Sequence, residues 1–158
     1  MRWREPSHRL DRLLAAIEIP ALGVWLGALA GFAFVSAPLA FRIVAPHDLA
    51  RFSELTVATL VRLSTWAAVL GAVAIAAAIG RAVQAADRIS EAIRILLVAV
   101  ALALVAYERF GVIPAMRALG DPGSPAFHAL HGRSTVVYGG VLLCVLAALV
   151  SAAARRPG

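Results

Sequence analysis

The sequence predicts an all-α integral membrane protein, a four-helix bundle with a short amphipathic N-terminal helix. Two observations lead to this fold class. Of the 158 residues, 61% are hydrophobic and only 15% are charged, a balance outside that of average soluble domains. The apolar residues also gather into stretches long enough to cross a hydrocarbon core, which takes about 20 residues of helix. The predicted spans are residues 19–41, 60–80, 92–114 and 134–154, in a single domain of residues 1–158.

A short amphipathic helix is predicted to begin at Pro6, ahead of the first span. Its apolar side chains recur at helical spacing and its charged side chains share the opposite face. The apolar positions are Leu10, Leu13, Leu14 and Ile17, and the charged ones are Arg9, Asp11 and Arg12. We expect this helix to lie along the inner membrane surface before the chain turns into the bilayer. Glu18 follows at the boundary, where we expect it to reach water or Arg12.

The first span carries no charge from Ile19 to Phe41. A cleaved signal peptide is the alternative, but the apolar run exceeds the usual signal core of roughly 7–15 residues and three more spans follow. Gly23, Gly27 and Gly31 stand four apart, so they share one helix face that lets a neighbouring backbone approach closely. The neighbour is either a sister helix of the same chain or a second copy in a homodimer.

The second and third helices are predicted to extend past the charge-free part of their spans. The second begins outside the bilayer, because Pro46 and Asp48 form a helix start well ahead of the apolar run. The third has a charge-free stretch of only thirteen residues, 95–107, but apolar residues resume after Glu108 and Arg109. We expect a continuous helix there, since lipid offers no partner for a free backbone amide or carbonyl.

All fifteen basic residues are arginine, and their distribution predicts the orientation in the membrane. Nine fall on the side of the chain termini: Arg2, Arg4, Arg9, Arg12, Arg81, Arg88, Arg94, Arg155 and Arg156. Six fall on the other side: Arg42, Arg51, Arg62, Arg109, Arg117 and Arg133. The positive-inside rule then places both termini in the cytoplasm, in a bacterial inner membrane. Because the arginines form no single stripe and no nucleic-acid motif accompanies them, we expect no nucleic-acid partner.

Polar side chains gather on the side of the membrane opposite the termini. The predicted cluster comprises His47, Glu108, Arg109, His128, His131 and Ser134. His128 and His131 share a helix face with a spacing that can ligate a metal, although a metal site usually takes three or four ligands. The alternative is that the two histidines cap the fourth helix and anchor it at the interface. No nucleophile, base and orienting group occur together in the sequence, and no glycine-rich phosphate loop is present, so we expect no enzyme and no cofactor.

Glu108 requires a partner, because an unpaired charge inside a membrane is costly. We predict that its carboxylate faces the bundle interior and contacts the start of the fourth helix, with His131 as the partner. Ser64, Thr65 and Cys144 are the other polar or sulfur-bearing candidates at mid-span. Cys144 is the only cysteine, which excludes an intramolecular disulfide and suits a small packing residue.

Three stretches resemble a bacterial four-helix membrane family catalogued as a domain of unknown function. They are residues 27–41 (GALAGFAFVSAPLAF), residues 112–119 (VIPAMRAL) and the pattern Phe127-x-x-Leu130-His131-x-x-Ser134. Animal relatives of that family resemble transmembrane protein 205, and a more distant likeness is to the copper-resistance D family, which supports a metal hypothesis. The chain departs from the family pattern at Glu108-Arg109, where a small polar residue is expected, and at Tyr138, where asparagine is common.

The function predicted from the sequence is therefore that of a membrane component. We expect a non-catalytic accessory or scaffold subunit of the inner membrane, whose partners are the lipid bilayer and a larger membrane protein complex or further copies of itself. The alternative is a small transport or resistance protein that handles a metal ion or small solute at the outer cluster of histidine, glutamate and arginine. A transport protein is expected to have polar residues along the interior of the bundle from one side of the membrane to the other, whereas an accessory subunit needs none.

Overall fold

A computed structural model of the protein describes residues 5–84 and 88–154, with side chains at 9–83 and 88–154. The helices are α1 (Glu5–Gly31), α2 (Ala37–Ile43), α3 (Leu49–Gln84), α4 (Arg88–Tyr107), α5 (Ile113–Leu119) and α6 (Pro125–Ala154). Short π-helical segments, Phe32–Ser36 and Glu108–Val112, join α1 to α2 and α4 to α5. Four of the arginines used to predict the orientation, Arg2, Arg4, Arg155 and Arg156, lie outside the described residues.

The described helices form four spans that are long and apolar enough to cross a membrane. These are Arg9–Ile43, Leu49–Val83, Arg88–Leu119 and Pro125–Ala154, with hydropathies between 1.9 and 2.4. The predicted all-α, four-helix membrane fold is confirmed. The third span runs through Glu108 and Arg109 as predicted. The helix of the second span begins at Leu49, well ahead of the predicted span at residue 60, and Asp48 Oδ1 accepts the amide hydrogen of Arg51 at 2.8 Å and caps it.

The four spans alternate in direction around a common core. α1 packs against α3 and α6, and α4 packs against the same two helices. We call the end of the bundle where α1 begins and α6 ends the terminal end, and the opposite end, with residues 44–48 and 120–124, the loop end. A layer of buried residues separates the two ends; it includes Leu22, Trp25, Ala74, Val98, Ala101 and Val145, each at most 2% exposed.

The predicted surface-lying amphipathic helix is not a separate element. α1 runs without a break from Glu5 to Gly31, so the chain does not turn between this helix and the first span. Two contacts hold its first turns along the end of α3. Asp11 Oδ1 accepts a hydrogen bond from Arg81 Nε at 3.2 Å, and Leu14 lies so close to Gly80 that a Cβ there would be 2.9 Å from its Cδ1. Asp11, which was predicted to lie on the face of this helix that meets water, therefore pairs with Arg81 of α3.

Both π-helical segments have a proline directly beyond them. Pro38 is the second residue of α2 and Pro114 the second residue of α5. A proline inside a helix lacks an N–H group and its ring clashes with the carbonyl four residues earlier, here those of Phe34 and Phe110. A π-helical turn widens the backbone locally and absorbs this misfit without breaking the span. The same turn in the third span carries Glu108.

The glycines that receive neighbouring side chains are not those predicted from spacing. A Cβ added at Gly71 would lie 2.6 Å from Leu102 Cδ2, so α3 and α4 approach closely there. At Gly23, Gly27 and Gly31 a Cβ would meet no described atom within 4 Å. No described helix therefore makes the close approach to this row that its spacing predicts, and Gly27 is exposed whereas Gly23 and Gly31 are half-buried. The alternative of a second copy is not tested by the fold.

Candidate functional site

The terminal end of the bundle contains a buried charge cluster that the sequence did not predict. We define it as Asp11 and Glu18 of α1, Arg81 of α3, and Glu91 and Arg94 of α4. Glu18 Oε2 lies 2.6 Å from Arg81 Nη1, and Glu18 Oε1 lies 2.6 Å from Arg94 Nε. Arg94 also pairs with Glu91 one turn earlier on α4. Except for Asp11, every side chain of the cluster is at most 2% exposed.

The prediction that Glu18 reaches water or Arg12 was wrong, because its carboxylate is fully buried between two guanidinium groups. The contact with Arg81 is a hydrogen bond as well as an ion pair. The contact with Arg94 Nε is short but does not satisfy hydrogen-bond geometry, and Arg94 Nη1 has no hydrogen-bond acceptor among the described residues. The cluster therefore joins three spans mainly by charge, with three acidic and two basic groups for a formal charge of −1.

On the loop-end side of the apolar layer, the described residues contain one buried carboxylate, that of Glu108. The residue is 8% exposed and lies in the π-helical segment between α4 and α5. Ser134 of α6, 9% exposed, donates its hydroxyl hydrogen to Glu108 Oε1 across 2.5 Å. The other oxygen, Oε2, is buried and has no hydrogen-bond partner in the described part of the chain. A hydroxyl group satisfies one oxygen of this carboxylate but does not neutralise its charge.

Glu108 lines a cavity of about 30 Å³ between the four spans. The walls are mostly apolar and include Leu29, Leu63 and Val105. Two other polar side chains line it, and each uses its hydroxyl hydrogen elsewhere: Ser64 donates to the carbonyl of Val61 at 2.7 Å, and Tyr138 donates to the carbonyl of Leu29 at 2.8 Å. Their oxygen lone pairs are available to the cavity, which has room for about one water molecule. Tyr138 thus joins α6 to α1 at this site.

The structure brings together only two members of the predicted outer cluster, Glu108 and Ser134. His47, His128 and His131 are exposed, and the ring of His131 stacks on Phe127 with centroids 6.5 Å apart. Arg109 is half-buried, and its guanidinium lies 6.0 Å from the ring centroid of Phe110. The predicted partner of Glu108 was therefore wrong. Residues three apart on a helix point about 60° away from each other, and the rotation of α6 turns Ser134 rather than His131 inward.

The described residues contain no group of three or more histidine, cysteine, aspartate or glutamate side chains that is placed to hold a metal ion. The three histidines considered for a metal site, His47, His128 and His131, do not form such a group. His131 has an aromatic neighbour in place of a second ligand. The geometry of the loop end is that of one carboxylate in an apolar cavity.

Comparison with known families gives one match. Residues 21–125 match the model of a family described as "Domain of unknown function (DUF4149)", and this range is more than half of the 158-residue chain. It contains Arg81, Glu91, Arg94 and Glu108, whereas Glu18 and the residues of α6 after Pro125 lie outside it. No curated protein and no solved structure matches the chain significantly. The resemblance to transmembrane protein 205 and to the copper-resistance D family stays a prediction.

Proposed function

Given that the chain belongs to the DUF4149 family, we propose that it is a non-catalytic accessory or scaffold subunit of the inner membrane. In this role it binds another membrane helix along its first span. The observation that carries the proposal is the open space at the glycine face, which we define as Gly23, Gly27 and Gly31. A Cβ at any of the three positions would meet no described atom within 4 Å, and Gly27 is exposed, so the face is open to a close approach by a further helix.

Such a face suits a partner helix better than lipid. Lipid tails are as apolar as the side chains of a helix, so membrane helices associate through close packing and backbone proximity rather than through a hydrophobic driving force. A row of glycines spaced four apart permits that proximity. Inside the bundle, two helices approach each other closely at a different glycine, Gly71, which is in contact with the side chain of Leu102. The glycine face on α1 therefore has no packing role within the described chain and suits a second helix, either of another copy or of another protein.

The interior of the bundle supports a scaffold rather than a conduit. The buried charge cluster joins α1, α3 and α4 through contacts of 2.6 Å, which fixes these spans relative to one another. Between the cluster and the Glu108 cavity lies the apolar layer that includes Leu22 and Val98, both 0% exposed. The buried charged groups of the described bundle thus lie on either side of this layer, which is apolar except for the indole N–H of Trp25.

The test is to fill the glycine face and measure association. Gly27→Ile adds a branched side chain where the bundle has free space, so the variant is expected to keep its melting temperature in detergent while losing its associated protein or its second copy. Ala99→Ile adds similar volume at an exposed position of α4 and serves as the matched control. Both variants are purified from native membranes, and associated proteins are quantified by mass spectrometry with a native mass for the complex. If Gly27→Ile retains the wild-type set of associated proteins and the wild-type mass, the scaffold proposal is wrong.

The alternative function is a small transport or resistance protein that handles a metal ion or small solute at the outer side. For metal, the observations offer little support, since the histidines are exposed and apart from Glu108. Purified protein that retains near-stoichiometric copper or zinc, and loses it on His131→Ala, would nevertheless favour this alternative. For a small solute, the supporting observation is the Glu108 cavity, which the scaffold role does not use.

A further inference from the structure

We propose that Glu108 binds one exchangeable monovalent cation, either a proton or a sodium ion, in the cavity at the loop end. This inference goes beyond the scaffold role, which makes no use of the cavity. The chain itself provides the comparison that leads to it. Glu18 and Glu108 are both buried glutamates in the spans, at 0% and 8% exposure, yet their surroundings differ in charge.

Glu18 has a positive group at each carboxylate oxygen, Arg81 at one and Arg94 at the other. Glu108 has only the hydroxyl of Ser134 at one oxygen, and its Oε2 is buried without a partner. A buried carboxylate without a positive partner is strongly unfavourable in a membrane. The positive charge that a guanidinium supplies at the terminal end must therefore come to Glu108 from a species that is not part of the chain.

The cavity limits what that species is. Its volume of about 30 Å³ accommodates a single small ion or one water molecule, which excludes an organic cation. Its oxygen-bearing side chains are Glu108, Ser64 and Tyr138. Glu108 is the only carboxylate that lines the cavity, so a calcium or magnesium ion, which moreover takes six or more oxygen ligands, would leave a buried net positive charge, whereas a monovalent cation is neutralised. A proton needs only Oε2, and a sodium ion can use Oε2 together with the free lone pairs of the two hydroxyl groups.

No fixed cation competes for Oε2 from the helices around it. Among the residues that line the cavity, Tyr138 of α6 is the only titratable group besides Glu108. Tyr107 and Arg133, which adjoin Glu108 and Ser134 in the sequence, are exposed, and Arg133 Nη1 donates to the Tyr107 hydroxyl at 3.4 Å. Arg109, next to Glu108 in sequence, has its guanidinium over Phe110. On α3, Arg62 is exposed and lies outside the cavity lining.

Glu108 lies in the π-helical turn that precedes Pro114. Such turns also occur frequently at functional sites, but this one is already accounted for by the proline, and the inference rests on the buried Oε2 and the cavity. The cavity lies on the loop-end side of the apolar layer, and its lining residue Ser64 is two residues from Arg62 on α3. We infer that the cation exchanges with the aqueous phase on the side of the loop end, because the apolar layer separates the cavity from the terminal end.

The test uses dicyclohexylcarbodiimide, an apolar reagent that reacts with protonated carboxyl groups. The acid proton moves to a carbodiimide nitrogen, a carboxyl oxygen bonds to the central carbon, and the acyl group then shifts to nitrogen to leave a stable adduct. Full-length protein is labelled in native membrane vesicles and its peptides are analysed by mass spectrometry. We expect labelling of Glu108 at low pH in choline buffer and no labelling of Glu18, which is equally buried but paired with two arginines.

The ionic conditions distinguish the two cations. If sodium is the ligand, replacing choline by sodium at equal ionic strength should reduce labelling of Glu108 at least several-fold; if the proton is the ligand, labelling should fall with rising pH and not respond to sodium. Glu108→Gln should abolish the adduct on that peptide and keep the melting temperature, since glutamine can accept the same hydrogen bond from Ser134. The proposal is overturned if Glu108 stays unlabelled at every pH and salt, or if Glu18 is labelled to the same extent.

Discussion

Removing Arg94 from the buried charge cluster is expected to destabilise the protein more than removing Glu18. Arg94→Met keeps the length and apolar stem of the side chain but leaves Glu18 and Glu91 without their shared cation, and it changes the formal charge of the cluster from −1 to −2. Glu18→Gln changes that charge from −1 to 0, and Arg81 keeps Asp11 at 3.2 Å while Arg94 keeps Glu91. The charge count therefore predicts the order of the two effects.

The magnitude follows from the burial of the groups. Breaking a buried ion pair by removing one partner costs about 3–5 kcal/mol, and Arg94, at 0% exposure, belongs at the upper end of that range. Glu18→Gln belongs at or below the lower end, near 3 kcal/mol, because each arginine retains one acidic partner. The double variant leaves Asp11, Glu91 and Arg81, with a formal charge of −1, so its cost should be smaller than the sum of the single costs.

The assay is reversible unfolding in detergent with a denaturing surfactant, read by circular dichroism and analysed as a double-mutant cycle. Glu54→Gln, an exposed acid near the loop end, is the control and should change the free energy of unfolding by less than about 0.5 kcal/mol. Wild-type stability in Arg94→Met would refute the reasoning. Strictly additive effects of the two single variants would also contradict it, because the cluster would then not act as a unit.

Three further results are expected. Ser134→Ala should cost about 1 kcal/mol through loss of its hydrogen bond to Glu108 while His131→Leu leaves the melting temperature in detergent unchanged; the opposite order would restore His131 as the partner of Glu108. Gly71→Ile should destabilise the bundle by about 1–3 kcal/mol because the space is taken by a neighbouring side chain, which surfactant-induced unfolding would detect and which an unchanged stability would contradict. In a cysteine-free background, a cysteine at Ser124 should react with an impermeant thiol reagent in intact spheroplasts and one at Arg88 should be protected, whereas the reverse pattern would invert the proposed orientation.

The direct measurement of orientation matters because the arginine bias is smaller than the count in the sequence indicates. Arg81 and Arg94 belong to the nine arginines on the side of the termini, but both are buried and ion-paired. Without these two, the count is seven on the side of the termini against six on the other. The labelling experiment does not depend on this count, since it reports the exposure of each loop.

Those parts of the fold that depend on local sequence could be predicted. The spans follow from apolar runs of sufficient length, and the cap at Asp48 follows from the preference of a helix start for an acidic oxygen acceptor. The continuation of the third helix through Glu108 follows from the need to satisfy backbone groups in lipid. Each of these inferences uses residues within one helix, where spacing along the sequence equals spacing in the structure.

Contacts between helices could not be predicted in the same way. Glu18 and Arg81 are 63 residues apart, and the charges that flank each span do not reveal which of them meet inside. The sequence did contain a signal for this cluster, since the acidic Glu18 and the basic Arg81 and Arg94 all lie near the ends of predicted spans on the side of the termini. Whether His131 or Ser134 faces Glu108 depends on about 60° of rotation of α6 about its axis, which the sequence does not specify. The spacing of Gly23, Gly27 and Gly31 likewise shows that they share a helix face but not which neighbour that face meets.

The scaffold proposal is tested most directly by photo-cross-linking from the glycine face in native membranes. A photoreactive amino acid is placed at position 27, where glycine has open space around it, and at position 96, where an exposed leucine of α4 lies on a different face of the bundle. The account predicts a discrete protein adduct of higher mass from position 27 and only lipid adducts from position 96. Lipid adducts alone from both positions would contradict it.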